Sequence, residues 1–230
     1  MIFPEKLVHG TLIKRYKRFL ADVKLDDGTK VVAHCTNSGT MKSCLENEAE
    51  VYLTPVNDPK RKTKYTWEMI KINNQWVGIN TGNPNKIAFE AISEGKIPEL
   101  NGYSKVQREV KFGDSRFDIY AENGVEKCFI EVKNVTLKEG KYALFPDAVT
   151  TRGQKHLKTL IEVKNTGMRA VMLYIVQRMD VEVFAPATEI DPDYAENLKQ
   201  ALKAGVEVIV LQVKVSPEKI ILYRKLEVEI

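Results

Sequence analysis

Two acidic residues and a lysine on neighbouring predicted strands have the types and spacing needed to hold a divalent cation. Asp118 belongs to one β-rich run, Glu131 and Lys133 belong to the next, and an Asn-Gly pair at 123–124 separates them. Such a pair is the strongest short signal for a hairpin. Side chains alternate between the faces of a strand, so the polar face should also carry Arg116. The opposite face is predicted to carry Phe117, Ile119, Ile130 and Val132.

A two-residue turn at 123–124 sets the predicted register of this hairpin. It places Asp118 opposite Phe129 and Arg116 opposite Glu131. Asp118 and Glu131 then become diagonal neighbours, roughly 7–8 Å apart at the backbone. Converging carboxylates repel each other unless a cation lies between them, and oxygen ligands of this kind suit Mg²⁺ or Mn²⁺.

A simpler explanation of the same pattern is an ordinary cross-strand ion pair between Arg116 and Glu131, since most such pairs only decorate a surface. The position of Lys133 favours the metal site. It puts a cation two residues beyond Glu131 on the same face, where the amine could hold a water molecule at the metal. Asp118, Glu131 and Lys133 are therefore the predicted catalytic residues, with Asp118 and Glu131 as metal ligands.

Four sequence blocks resemble those of a known family. They are HCTNSGTM at 34–41, GDSRFD at 113–118, EVKNVTL at 131–137 and FPDAVTTRG at 145–153. Together they resemble the sugar fermentation stimulation protein A family over essentially the whole chain. The combination of Asp118 with Glu131-x-Lys133 resembles the core of the PD-(D/E)XK nuclease-like superfamily.

Residues 1–80 are predicted to form a small OB-like β-barrel, which the resemblance also implies. The pattern contains about five short strands separated by turn signals. The predicted strands are 7–15, 18–25, 30–36, 50–56 and 64–72.

Residues 81–230 are predicted to form a PD-(D/E)XK nuclease-like α/β domain with the element order αβββαβ. A helix begins at Asn83-Pro84 and ends near Gly95. Glu90 on that helix is a further candidate ligand, with a solvated helix face as the alternative. The remaining elements are strands at 105–112, 115–121 and 127–133, a loop or short extension at 138–145, a helix at 147–165, a strand at 169–176, a helix at 193–204, and strands at 206–215 and 219–224.

Clustered basic and small polar residues predict contact with nucleic acid, most simply DNA. Basic residues lie beside aromatic ones in the barrel, as OB-folds that bind single strands require, although turns between strands are often charged merely because they are solvated. His156 has a similar alternative, because a histidine on a helix face usually only meets solvent. The prediction that Asn37 and Thr40 contact nucleic acid rests on the family resemblance. The candidates are Arg15, Arg18, Asn37, Thr40, Arg61, Lys62, Lys64, Arg116, Arg152, Lys155 and His156.

Composition limits the remaining possibilities. A net charge of +4 permits nucleic-acid binding without demanding it, and three cysteines without a Cys-x-x-Cys pair argue against a disulfide framework. No run approaches the roughly 20 apolar residues of a spanning helix, so we expect a cytoplasmic protein without a membrane partner. A homodimer is possible, because the strand at 169–176 and the C-terminal strands could pair across subunits.

The favoured function is a DNA-binding protein with a nuclease-type divalent-metal site that could hydrolyse phosphodiesters. The resemblance implies a link to the regulation of sugar (maltose) metabolism. One alternative is a DNA-binding regulator without catalysis. A second is a sensor of a sugar or nucleotide that uses the turn at 37–40.

Overall fold

Six strands at the start of the chain form one sheet, and five of them close into a barrel around apolar side chains. The computed structural model describes all 230 residues. The strands pair in the order β3-β2-β1-β4-β5-β6, and a parallel pairing of β3 with β5 closes five of them into a barrel. Trp67 lies fully buried in the apolar core of the barrel. The strands are β1 (Val8–Tyr16), β2 (Leu20–Leu25), β3 (Lys30–His34), β4 (Glu50–Pro55), β5 (Tyr65–Ile72) and β6 (Gln75–Gly78).

The rest of the chain forms an α/β domain with two sheets. The larger sheet has the strand order β15-β14-β12-β9-β8-β7, and the smaller sheet has the order β10-β11-β13-β16. The helices are α1 (Asn83–Ser93), α2 (Thr151–Asn165) and α3 (Pro192–Lys203). The strands are β7 (Lys105–Phe112), β8 (Ser115–Glu122), β9 (Lys127–Val135), β10 (Leu137–Glu139), β11 (Tyr142–Phe145), β12 (Arg169–Val176), β13 (Val183–Pro186), β14 (Glu207–Val215), β15 (Ile220–Lys225) and β16 (Glu227–Val228).

Separate apolar cores cover the two faces of the larger sheet. Ile87 of α1 belongs to one core together with Ile130 of β9. Leu157 of α2 and Leu198 of α3 belong to the other, together with Phe129. The order α1, β7–β9, α2, β12 is the predicted αβββαβ order, and with the barrel it confirms the predicted two-domain fold class.

The hairpin of β8 and β9 differs from its prediction by two residues of register. Its turn covers four residues, because the Asn123 side chain accepts hydrogen bonds from the amides of Val125 and Glu126 at 3.2 and 2.9 Å. The observed pairs run from Glu122↔Lys127 to Ile119↔Ile130. Continued by one step, this register puts Asp118 opposite Glu131, so the predicted pairings of Asp118 with Phe129 and of Arg116 with Glu131 are wrong.

Three further predictions need correction. Residues 138–145 are not a loop, because β10 and β11 form a hairpin in the smaller sheet. The second helix begins at 151 rather than 147, because the Thr150 side chain caps it by accepting a hydrogen bond from the Gly153 amide at 3.1 Å. Strand β12 cannot pair across subunits, since β9 and β14 flank it on both sides. None of the three helices has the length and apolar composition needed to span a bilayer.

A buried arginine joins the two domains. The Arg178 side chain is 1 % exposed and its guanidinium donates hydrogen bonds to the Ser43 carbonyl of the barrel domain at 3.2 Å and to the Thr136 carbonyl at 2.7 Å. It also forms an ion pair with Asp180 at 2.7 Å. The planar, multi-donor geometry of arginine suits such a junction.

We therefore predict that Arg178→Met lowers the free energy of unfolding by about 3–5 kcal/mol, because it leaves the partly buried Asp180 carboxylate without its guanidinium and removes one donor from each of the two carbonyls. Chemical denaturation measures this change. Arg116→Met is the matched control. Its ion pair with Glu109 is exposed, so the change should stay within about 0.5 kcal/mol. Equal losses in the two variants would contradict the assigned role of Arg178.

Candidate active site

The predicted acidic residues line a cavity of about 560 Å³ between the two domains. The barrel domain contributes residues 36–39, and the α/β domain contributes residues 144–150 on another side. Asp118, Glu131 and Lys133 line the same cavity. Glu131 is 2 % exposed, which places it at the inner end.

Asp118 lies where the pairing of β8 with β9 stops. Its Oδ2 atom accepts a hydrogen bond from the Val132 amide at 2.9 Å, in place of a backbone carbonyl. Its Oδ1 atom accepts one from Asn85 Nδ2 at 2.7 Å. Both oxygens are thereby oriented. Burial and, second, the neighbouring Glu131 raise the pKa of Asp118 to about 6.

Glu131 has one satisfied carboxylate oxygen and one unsatisfied one. Its Oε1 atom accepts a hydrogen bond from Lys133 Nζ at 2.5 Å and also contacts His156 Nδ1. Its Oε2 atom is buried without any hydrogen-bond partner. Burial opposes ionisation, but Lys133 and His156 outweigh it and hold the pKa of Glu131 below its ordinary value. A buried carboxylate oxygen without a partner calls for a physical explanation, and a bound cation or water would supply one.

The donor set fits a hard divalent ion with few protein ligands. No group of three or more His, Cys, Asp or Glu side chains is arranged to hold a metal. Asp118 and Glu131 would supply two carboxylates to such an ion, and carbonyls, water or substrate would have to complete its coordination. Mg²⁺ is commonly bound in this way, through one or two carboxylates together with substrate phosphates.

Three of the predicted nucleic-acid contacts line the cavity, namely Arg18, Asn37 and Arg152. The others lie outside it. Arg116 and Lys155 are exposed and form ion pairs with Glu109 and Asp114. The basic residues Arg61, Lys62 and Lys64 belong to the loop between β4 and β5, which does not reach the cavity.

Arg15 and Thr40 hold the protein's own backbone instead of pointing at the cavity. The Arg15 guanidinium donates hydrogen bonds to the carbonyls of Arg18, Asn37 and Gly39 at 3.0, 2.9 and 2.9 Å. The Thr40 hydroxyl donates one to the Asp147 carbonyl at 3.1 Å. The structure therefore gives both residues a supporting role in the cavity wall, and their predicted contact with phosphate stays a prediction.

His156 also differs from its prediction. It is 5 % exposed and contacts Glu131, so it neither meets solvent nor reaches a flanking phosphate. Arg152 Nε lies 3.4 Å from the other ring nitrogen. A histidine in this position orients the carboxylate, as outer partners of metal ligands commonly do.

Asn85 is the functional residue that the sequence patterns missed. Its position in the first turn of α1 was predictable from the Asn83-Pro84 helix start, but no spacing rule connects it to Asp118. Glu90 on the same helix is not near the cavity, since it forms an ion pair with the N-terminal amine at 3.0 Å.

A direct contact joins the two sides of the cavity at Gly39 and Asp147. The Asp147 Oδ2 atom accepts a hydrogen bond from the Met41 amide at 3.4 Å. A Cβ atom added at Gly39 would lie 2.1 Å from the same oxygen, so any other residue there would force the Asp147 carboxylate to move. We name the contact of residues 39–41 with Asp147 the bridge.

We predict that Gly39→Ala lowers the free energy of unfolding by about 1–3 kcal/mol, because the new methyl group overlaps the Asp147 carboxylate. Adding Asp147→Ala removes the overlap, so the double variant should be more stable than the sum of the two single changes implies. Denaturant titrations of all four proteins measure the coupling. Strict additivity would show that the bridge is absent in solution.

Comparison with known proteins agrees with the family and the fold. The family models described as SfsA N-terminal OB domain and Sugar fermentation stimulation protein RE domain match residues 13–79 and 82–219. The sugar fermentation stimulation protein homolog of Geobacter sulfurreducens is 52% identical over 229 residues, covering 99% of this chain and 98% of the relative. That of Rhodospirillum rubrum is 51% identical over 231 residues, with 94% of each chain covered.

Among solved structures, Pyrococcus furiosus SfsA in complex with Ca²⁺ is 33% identical to this chain, with a TM-score of 0.90. The match covers 100% of this chain and 98% of that one. The chain therefore belongs to the sugar fermentation stimulation protein family.

Proposed function

We propose that this protein binds DNA and hydrolyses phosphodiester bonds with a divalent metal ion held by Asp118 and Glu131. One observation carries the proposal. The buried Oε2 atom of Glu131 has no partner and belongs to the same cavity as Asp118, whose raised pKa reflects burial and a second carboxylate. Perturbed carboxylates that share a cavity are typical of catalytic sites.

The relative from Pyrococcus furiosus supports a divalent-cation site, since its structure is a complex with Ca²⁺. Ca²⁺ and Mg²⁺ both take oxygen ligands. We infer Mg²⁺ or Mn²⁺ for turnover, because two protein carboxylates leave coordination positions for water and a phosphate oxygen.

The side chains around the carboxylates divide the remaining tasks. A bound divalent ion supplies Lewis acidity toward the scissile phosphate and lowers the pKa of water. Lys133 places a positive charge beside Glu131, where it can stabilise negative charge that grows on the phosphate. Asn85 and the Val132 amide fix Asp118, and His156 fixes Glu131. Arg18 and Arg152 are the cationic residues available to neighbouring phosphates.

A DNA-binding regulator without catalysis is the second candidate. The direct contact between Lys133 and Glu131 favours it, because a lysine bound to its neighbour is less available to a phosphate. A regulatory role in sugar metabolism agrees with the name of the family. Such a regulator needs the basic residues Arg18 and Arg152 of the cavity, but it does not need the unpaired carboxylate oxygen of Glu131.

Hydrolysis is tested with labelled DNA and Mn²⁺. We predict that Asp118→Asn, Glu131→Gln and Lys133→Met each lower the cleavage rate at least about 100-fold, because each removes a ligand or a charge that acts in the transition state. Asp114→Asn is the matched control and should cleave like the wild type, since Asp114 is an exposed acid in the turn between β7 and β8.

Wild-type cleavage no faster than that of an Asp118→Asn, Glu131→Gln double variant would contradict hydrolysis at this site. If cleavage were absent and the double variant still bound DNA like the wild type, a DNA-binding regulator without catalysis would be the better description.

Metal binding is tested separately by thermal unfolding. A cation at 100 times its Kd should stabilise the wild type by about 2.7 kcal/mol, so Mn²⁺ should raise Tm in a concentration-dependent way. The Asp118→Asn, Glu131→Gln variant should lose this response, and Asp114→Asn should keep it. An undiminished response in the double variant would mean that the ion binds elsewhere.

A further inference from the structure

We propose that the strand cleaved at this site enters the cavity unpaired, so that the substrate is single-stranded DNA rather than a duplex. This inference rests on the proposed function and adds the substrate class to it. It depends on four features of the cavity: the bridge, the volume of the cavity, the polarity of its lining and the support of its walls.

The bridge limits how far apart the cavity walls can lie. The Thr40 hydroxyl and the Met41 amide of the barrel domain are hydrogen-bonded to Asp147 of the α/β domain at 3.1 and 3.4 Å. Gly39 and Asp147, which take part in this contact, also line the cavity. A ligand that reaches Glu131 must therefore pass beside a closed contact rather than between separated domains.

The volume of the cavity matches a small ligand and not a double helix. A volume of about 560 Å³ lies within the range of about 300–1,000 Å³ that is usual for small-molecule sites. The major groove of B-DNA alone is about 12 Å wide and 8.5 Å deep, so a duplex is a much larger body. The cavity has room for a few groups of one strand but not for its complement.

The lining has the polarity that a sugar-phosphate chain requires. Only six of the 22 lining residues are hydrophobic. Arg18 of the barrel domain and Arg152 of α2 supply positive charge from the two domains, and the α/β side also presents Phe145. Single-strand sites combine basic groups along the backbone with apolar or aromatic surface for the bases.

Both walls are supported from behind. On the barrel side, Arg15 holds the carbonyls of residues 37 and 39. On the other side, Asp191 accepts a hydrogen bond from the Thr150 amide at 2.8 Å. Because these hydrogen bonds are made within the protein, they hold both walls in place without a ligand.

The test compares one labelled oligonucleotide of about 16 nucleotides, free and annealed to its complement, by fluorescence anisotropy in Ca²⁺. We expect the full-length protein to bind the single strand at least about 10-fold more tightly than the blunt duplex. A duplex bound as tightly as the single strand would overturn the inference. A free deoxynucleoside monophosphate that displaces the strand with equal affinity would also overturn it.

Variants that open the bridge provide a second test of the inference. Thr40→Val with Asp147→Ala removes both hydrogen bonds across it and should lower the preference for the single strand at least about 3-fold, chiefly by improving duplex binding. Thr188→Val with Asp193→Ala makes the same changes away from the cavity and should keep the wild-type preference. An unchanged preference in the bridge variant would show that the bridge does not exclude the duplex.

The outcomes separate this inference from the proposed function. Preferential binding of the single strand without cleavage in Mn²⁺ would support the inference and contradict the proposed hydrolysis. Cleavage of the duplex as fast as the single strand would uphold hydrolysis and remove the inference. Failure to bind either form would remove both.

Discussion

The interruption of the β8–β9 ladder at Asp118 is the constraint on which the site depends. The Asp118 carboxylate takes the Val132 amide that a backbone carbonyl would otherwise accept. Strand β8 changes its packing at this point. Ile119 packs in the core that contains α1, whereas Phe117 packs in the core that contains α2, although alternation predicts one face for both. The aspartate therefore lies at a break in the sheet, where its carboxylate is oriented by one backbone amide and by the Asn85 side chain.

A chain of polar contacts connects the barrel to that break. The buried Glu68 of β5 accepts hydrogen bonds from Asn80 and from Asn83, both at 2.9 Å. Asn83 is the first residue of α1. Asn85, two residues later in the same helix, donates a hydrogen bond to the Asp118 carboxylate. The barrel thus sets where α1 begins, and α1 sets how Asp118 is held. This gives the barrel a structural reason to accompany the α/β domain, beyond any contact with nucleic acid.

Element order and strand positions were predictable because they follow from local patterns. Strand β12 was predicted at its observed bounds, and the Asn-Gly pair marked a real hairpin. The register was not predictable, because the turn length depends on how the Asn123 side chain bonds to the backbone. A shift of two residues nevertheless preserves the face, so Asp118 and Glu131 still share a cavity. The roles of Arg15 and His156 depend on long-range packing that turns a charged strand residue and a helix-face histidine inward. No periodicity distinguishes such residues from solvated ones.

The central claim is that Asp118 and Glu131 share one divalent ion. Anomalous diffraction from a crystal soaked in Mn²⁺ tests it most directly, because the signal locates the metal without reference to activity. The account predicts one strong peak in coordination contact with both carboxylates, at the free Oε2 atom of Glu131. A protein whose strongest peak lies elsewhere, with the Glu131 oxygen still unoccupied, would contradict it.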